Sequence, residues 1–249
     1  MARYDFQSPR LYVAERLAPG AAIKLEQQQA HYLRNVLRLE GGDQVLVFNG
    51  RNGEWRATLS DSGRRTVTLS IDECVRDQTA PCDLHYVFAP LKHQRLDYMI
   101  QKAVELGASR IAPVITRHVQ VVRVNLERMQ ANAIEAAEQC GILNIPEIAE
   151  PVPFARMIAD RQKNRLLIFC DEDADVTDPV AALQAQRTDK GRPLAVLVGP
   201  EGGFAADERA ALLRLPNVVR LALGPRILRA DTAAVAALAL VQAVLGDWR

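Results

Sequence analysis

From residue 83 onward, short apolar runs alternate with amphipathic stretches, and the alternation predicts most of the elements. "LHYVFAPL" reads as a strand and "QRLDYMIQKAVELG" as a helix closed by Gly107. "RIAPVIT" is a second strand, followed by the helix "NLERMQANAIEAAEQCG" with Asn125 as N-cap. A shorter helix is expected near 153–161, before the strand "RLLIFCD". "PLAVLVG" and "VVRLALG" are further strands with the helix "ADERAALLRL" between them, and a long helix closes the segment. Strands alternating with helices imply an α/β domain with a mostly parallel sheet covered on both faces.

Residues 1–73 have another texture. "RLYV", "QVLVFNG", "EWRATLS" and "TVTLSI" are strand-like, with "NGRNGE" as a hairpin turn. One helix interrupts them around "EQQQAHYLRNVLRL", with Tyr32, Leu33, Val36 and Leu37 on its apolar side. The polar, aperiodic "ECVRDQTAPCD" marks a boundary near 74–82, which gives a β-rich unit over 1–74 and an α/β unit over 83–249.

Composition changes this picture little. The chain is 49% hydrophobic and 24% charged, enough for a sizeable core. A net charge of +1 neither demands nor excludes a nucleic-acid partner, since a basic patch can hide in a neutral total. Cys74, Cys82, Cys140 and Cys170 show no metal-like spacing and are expected to be buried free thiols in a reducing compartment. The start "MARYDFQSPRLYV" lacks the apolar core of a secretory signal. The longest apolar run, 233–245, is interrupted by Gln242 and falls short of the roughly 20 residues that span a bilayer. A soluble, cytoplasmic protein without a metal site or membrane association is expected.

In open parallel sheets ligands bind outside the carboxyl ends of the strands. One such end carries Gly199, Pro200, Glu201, Gly202 and Gly203. Glycines admit close backbone approach to a ligand, although a plain tight turn also favours them. The Gly-Lys-Ser/Thr ending of a phosphate loop is absent, as are GxGxxG and GxSxG. A second strand end reads "LALGPRILRADTA". There Gly224 and Pro225 stop the strand, Arg226 and Arg229 follow, and Asp231 or Thr232 can cap the next helix. Arginines at a helix start oppose the macrodipole, so they need another purpose, and binding an anion is one.

"GPEGGF" followed by "LGPRILRADTA" resembles the signature of the SPOUT class of methyltransferases, and more narrowly the RsmE type. "HYLRNVLRL", "KAVELGASRIAP" and "EAAEQCG" with a downstream "IPEI" agree, so the resemblance covers nearly the whole chain in order. It implies a C-terminal domain whose strand-ending loops form a deep trefoil knot around S-adenosylmethionine, and an N-terminal PUA-like β-barrel that binds RNA. It also implies methylation of uridine N3 in 16S rRNA of the assembled 30S subunit (uridine 1498, near the decoding centre, in the family), and a homodimer packed through the knot and the C-terminal helix. A SPOUT enzyme of another rRNA or tRNA nucleotide, or a non-catalytic RNA-binding or ribosome-assembly factor, are the alternatives. Two positions depart from the family pattern. Ile142 stands where an arginine is frequent, and Asp231 where glutamate is.

The resemblance and the chemistry of the transfer together suggest roles. Leu197, Gly199, Pro200, Gly202, Leu223, Gly224, Ile227 and Leu228 would line the cofactor pocket. Uracil N3 becomes a good nucleophile only when its proton leaves, which calls for a base or for cations that stabilise the uracil anion. Arg229 would orient or stabilise the uracil or a nearby phosphate, while Glu201 and Asp231 would accept a proton or hold an arginine. Arg10, His31, Arg34, Arg38 and Arg51 would contact RNA, with Arg34 and Arg38 one helical turn apart on a shared face. Lys92, Lys102 and Glu105 also lie in family-like segments, and Lys102 with Glu105 reads as an i,i+3 surface pair.

Overall fold

The computed structural model describes residues 5, 8–61, 66–175, 178–188 and 191–248, without the side chains of Asp61 and His93. The chain divides into two compact units, one of residues 1–80 with 137–145 and one of 81–136 with 146–249. Residues 137–145 thus join a unit distant from them in sequence, which no hydrophobic pattern announces.

In the first unit β1 (Arg10–Tyr12), β2 (Ala22–Lys24), β3 (Gln44–Phe48), β4 (Glu54–Asp61) and β5 (Val67–Arg76) form one sheet in the order β1-β3-β4-β5-β2. The β1–β3 pair is parallel and the others antiparallel. The "NGRNGE" turn joins β3 to β4, and Asn49 stabilises it by accepting the Arg51 and Asn52 N–H groups. Strand β2 has no counterpart among the predicted elements, since it is three residues long with only Ile23 buried. Alternate positions of β3, β4 and β5 supply the core, among them Val45, Val47, Ala57, Leu59, Leu69 and Ile71.

The helix predicted over 26–39 is shorter and irregular. α1 (Gln27–His31) runs into a π-helical turn, Tyr32–Val36, with Leu37 N–H donating to the Tyr32 carbonyl at 3.0 Å. The wider turn breaks the 3.6-residue period. Leu33 is buried as expected, whereas Val36 faces solvent. Arg38 lies beyond the helix at φ +59, so Arg34 and Arg38 do not share a helical face.

The second unit follows the predicted alternation closely. It runs β6 (Leu84–Phe88), α2 (His93–Glu105), β7 (Arg110–Ile115), α3 (Leu126–Gln139, whose last residues fall in the first unit), β8 (Glu147–Ile148), β9 (Val152–Pro153) and α4 (Phe154–Asp160). Then come β10 (Leu166–Cys170), α5 (Pro179–Gln184), β11 (Leu194–Val198), α6 (Ala206–Leu213), β12 (Val218–Leu221) and α7 (Ala230–Val244). The strands pair in parallel in the order β12-β10-β11-β6-β7-β8, with β9 also on β7. Strand β11 is buried along its whole length, as a sheet covered on both faces requires.

Local chemistry explains the element ends. Asn125 Oδ1 accepts the Arg128 N–H at 2.9 Å and so caps α3. After α2, Gly107 takes φ +79 and Ala108 N–H returns to the Ala103 carbonyl at 2.9 Å, a Schellman closure. A side chain at Gly107 would also collide with Gln242. That fully buried glutamine donates to the Leu106 carbonyl at 2.7 Å and accepts the Asp247 N–H, which satisfies a polar group inside an apolar helix. Among the described residues no helix is long and apolar enough to cross a membrane. The cysteines are free, but Cys74 and Cys140 are exposed rather than buried, because both lie near element ends at the surface.

Candidate active site

Strands β12, β10 and β11 are neighbours, and the loops at their carboxyl ends enclose a cavity of about 570 Å³. Volumes of about 300–1,000 Å³ are usual for small-ligand sites. One wall is the glycine loop 199–204, the second is 223–230 entering α7, and the third is the end of β10 with Asp171, Glu172 and Asp173.

Gly199 is required by space, since a Cβ there would lie 2.5 Å from Cε2 of Phe204. The Phe204 ring packs edge-on against Phe169 with centroids 5.2 Å apart, so it has little freedom to yield. Gly224 is required by conformation instead, with φ +98 and open space around it. The glycine loop is tied from outside by His118, whose Nδ1 lies 3.3 Å from the Gly202 carbonyl oxygen and 3.2 Å from that of Gly203. Glu208 of α6 accepts both the Ala205 and the Arg117 N–H, fastening the same loop to the segment after β7.

Asp171 organises the third wall. Its buried carboxylate accepts from Arg209 at 3.0 Å and from Arg220 at 2.8 Å, joining α6, β10 and β12. Burial alone would raise its pKa, but the two guanidinium groups outweigh that and hold it below the ordinary value. Cys170 also lines the cavity, and burial pushes its thiol up to about 12. A protonated thiol is no covalent nucleophile at neutral pH.

Gly199, Pro200, Gly202, Leu223, Gly224, Ile227 and Leu228 line the cavity together with Glu201 and Arg229. Leu197 does not, because it is buried inside β11 and packs in the apolar cluster with Phe169 and Val87. Arg226, Ile227 and Arg229 are exposed, and Arg229 itself is the N-cap of α7. The helix thus begins before Asp231 and Thr232, the expected capping residues. Asp231 lies in its first turn and its Oδ1 accepts the Thr232 N–H at 2.9 Å.

Sequence reasoning passed over Arg95. From the first turn of α2 it forms a close ion pair with Glu201, and its Nε lies 3.9 Å from Asp231 Oδ2. The carboxyl-end rule could have found it, since α2 begins shortly after β6 ends. Lys102 pairs with Glu105 at 2.7 Å as expected, and Lys92 is the N-cap of α2.

The candidate RNA contacts are dispersed over the first unit. His31 and Arg38 are exposed and Arg34 is half-buried. Arg51 donates to the Ala14 carbonyl at 2.7 Å from an exposed position. Arg10 faces inward with its side chain 8% exposed. It pairs with Glu54 at 2.6 Å, donates to the carbonyls of Ala137, Glu138 and Ile142, and lies over the Phe48 ring. Its donors serve the interior, because a buried guanidinium must be satisfied within the fold. Among the described residues no three His, Cys, Asp or Glu side chains are grouped to hold a metal ion.

A mixed sheet with an appended parallel α/β unit, bearing a glycine-lined cleft beside arginines, defines the class. The RNA methyltransferase domain family matches residues 78–242, and the RNA methyltransferase PUA domain matches 25–72. Among relatives, the ribosomal RNA small subunit methyltransferase E of Rickettsia conorii is 32% identical over 234 residues, 94% of each chain. The enzyme of that name from Neisseria gonorrhoeae, solved with S-adenosylmethionine, superposes with a TM-score of 0.85 at 26% identity, covering 98% of this chain and 100% of that one. A Legionella pneumophila chain solved with the same cofactor gives a TM-score of 0.82 at 30% identity, over 95% and 98%. This chain belongs to the ribosomal RNA small subunit methyltransferase E family.

Proposed function

We propose that this protein transfers a methyl group from S-adenosylmethionine to N3 of a uridine in 16S rRNA, with the assembled 30S subunit as its substrate. The reading assigns RNA recognition to residues 1–74 and chemistry to 83–249, and includes the family's trefoil knot in the cleft-forming segment. The observation that carries it is the convergence of two glycine-bearing loops and Arg229 on one cavity.

The residues present fit the cofactor. Gly199 keeps the loop close to Phe204 and leaves the cavity side as bare backbone, able to meet an adenine edge or a carboxylate. Glu172 and Asp173 complement the positive charge of a sulfonium, while Arg226 and Arg229 stand on the opposite loop. When bound, S-adenosylmethionine supplies an electrophilic methyl group on a cationic sulfur.

The chain's own work is to hold the acceptor in line, exclude water and favour the uracil anion. Arg229 is exposed at the cavity and is the group placed to stabilise negative charge on a uracil oxygen as the N3 proton leaves. Glu201 is engaged by Arg95, and its role in this reading is to hold that cation at the cavity. Because N3 lies on the pairing edge, the target base must be unpaired or extruded, and Arg34, Arg38 and Arg51 are the cations offered to its flanking phosphates.

The protein is further proposed to act in the cytoplasm as a homodimer. One face of α7 is internal, with Ala234, Ala237 and Leu238 fully buried, so those alanines serve the fold of one subunit. Val235, Ala236, Ala239 and Leu240 remain half-exposed and are the positions that support a subunit contact.

The test is methyl transfer from labelled S-adenosylmethionine to 30S subunits lacking the modification, with naked 16S RNA alongside and mass mapping of the product. N3-methyluridine at one site is the expected result. Arg229→Ala is expected to lower kcat by at least about a hundredfold while cofactor affinity stays within about threefold. Transfer to another nucleotide would redirect the substrate, and absence of cofactor binding would leave an RNA-binding factor.

A further inference from the structure

Strand pairing leaves two walls of the cavity untied to each other. The glycine loop follows β11 and the arginine loop follows β12, and β10 lies between those strands. A side chain from a third element joins the glycine loop to the helix that follows the arginine loop. We infer that Arg95 is a positioning residue that clamps the glycine loop to the first turn of α7 and so holds Arg229 at the cavity.

The inference rests on the proposed methyl transfer for its kinetic part and on geometry for the rest. Arg95 stands in the first turn of α2, where a cation opposes the helix dipole and needs compensation. That compensation comes from the glycine loop through Nη1 to Glu201, and from the first turn of α7 through Nε toward Asp231 at 3.9 Å, Asp231 lying just outside the cavity lining. Asp231 Oδ1 is engaged by the Thr232 N–H, so its other oxygen, Oδ2, is the one that faces Arg95. Arg229 is the N-cap two residues earlier, and fixing Asp231 constrains the backbone from which the Arg229 side chain departs. A guanidinium suits the task because its Nε and Nη groups can address two separate carboxylates, whereas an ammonium is a single point charge. Without that cation, Glu201 at the cavity and Asp231 beside it would lose the charge that both face.

Arg95 and Glu201 are each about 40% exposed, so their pair contributes little to global stability and its effect is local. The variants Arg95→Gln, Arg95→Lys, Glu201→Gln and the double variant with both glutamines test this. Calorimetric titration with S-adenosylmethionine in the absence of RNA is the first readout, and kcat and KM on 30S subunits the second. Arg95→Gln is expected to weaken cofactor binding about tenfold and lower kcat more than about tenfold. KM for 30S should stay within about twofold and the melting temperature within about 3 °C. Arg95→Lys should recover only part of the loss, and the double variant should be little worse than Arg95→Gln alone.

Unchanged cofactor affinity and kcat with a raised KM for 30S would make Arg95 an RNA contact and overturn the clamp. Multiplying losses in the double variant would also overturn it. So would a fall in melting temperature of more than about 10 °C in every Arg95 variant, which would mark a structural residue. If the unsubstituted protein methylates neither 30S nor 16S RNA, the functional reading fails on its own, and the cofactor titrations still decide the clamp.

Discussion

Gly199 and Gly224 line the same cavity, yet different forces exclude a side chain at each. At Gly224 the obstacle is the backbone, at φ +98, while at Gly199 it is the Phe204 ring. Gly199→Ala should therefore displace an aromatic group packed on Phe169 and carry the glycine loop with it. Overpacking of this kind costs about 1–3 kcal/mol, and cofactor affinity should fall by about tenfold or more in calorimetry. An affinity within twofold of the unsubstituted protein would show that the loop does not border the ligand. Residue identity alone was a mixed guide at this scale. Strand ends pointed to the loops whose glycines, Glu201 and Arg229 line the cavity, whereas the roles given to those residues came with the family resemblance. Arg10 was not, because an arginine that binds phosphate and one that satisfies buried carbonyls read alike in a sequence. Arg95 escaped for the converse reason, as its partners lie 106 residues away at Glu201 and further still at Asp231.

At the scale of elements, Asp171 joins β10, β12 and α6 just where the cavity opens. Removing its charge should cost about 2 kcal/mol. That is below the roughly 3–5 kcal/mol of a broken buried pair, because Arg209 and Arg220 are themselves partly in water. Asp171→Asn is accordingly expected to lower the melting temperature by about 5 °C at neutral pH. The pH dependence has a definite sign. A carboxylate whose folded pKa lies below its ordinary 3.8 contributes stability that is complete above that value. The contribution is lost as the pH falls through the depressed folded value. The gap between the two melting temperatures should close as the pH drops below about 4, and a constant gap would mean that Asp171 acts through packing. Most elements of the second unit were readable because strand and helix periods alternate cleanly there. The 26–39 helix ends earlier than its apolar pattern indicates, since a π-helical turn has no compositional signature and shifts the facing of every later residue. Strands β2, β8 and β9 were too short for a period.

For the whole molecule, the half-exposed apolar positions of α7 lead to an expectation about assembly. Sedimentation velocity at micromolar concentration should give twice the 27.5 kDa chain mass. Leu240→Arg, which places a charge on that face, should shift the distribution toward monomer, whereas a monomer in the unsubstituted protein would remove the α7 contact from the proposal. The sequence by itself determined the class of fold, since alternating periods over 83–249 allow little besides a covered parallel sheet. It also pointed to where a cavity forms, because glycine loops and arginines at strand ends are local features. Tertiary structure alone decided which cations face inward, which carboxylates are already paired, and that Arg95 meets both Glu201 and Asp231. Those outcomes depend on contacts between residues far apart in the chain, and burial can be read only once distant segments have come together.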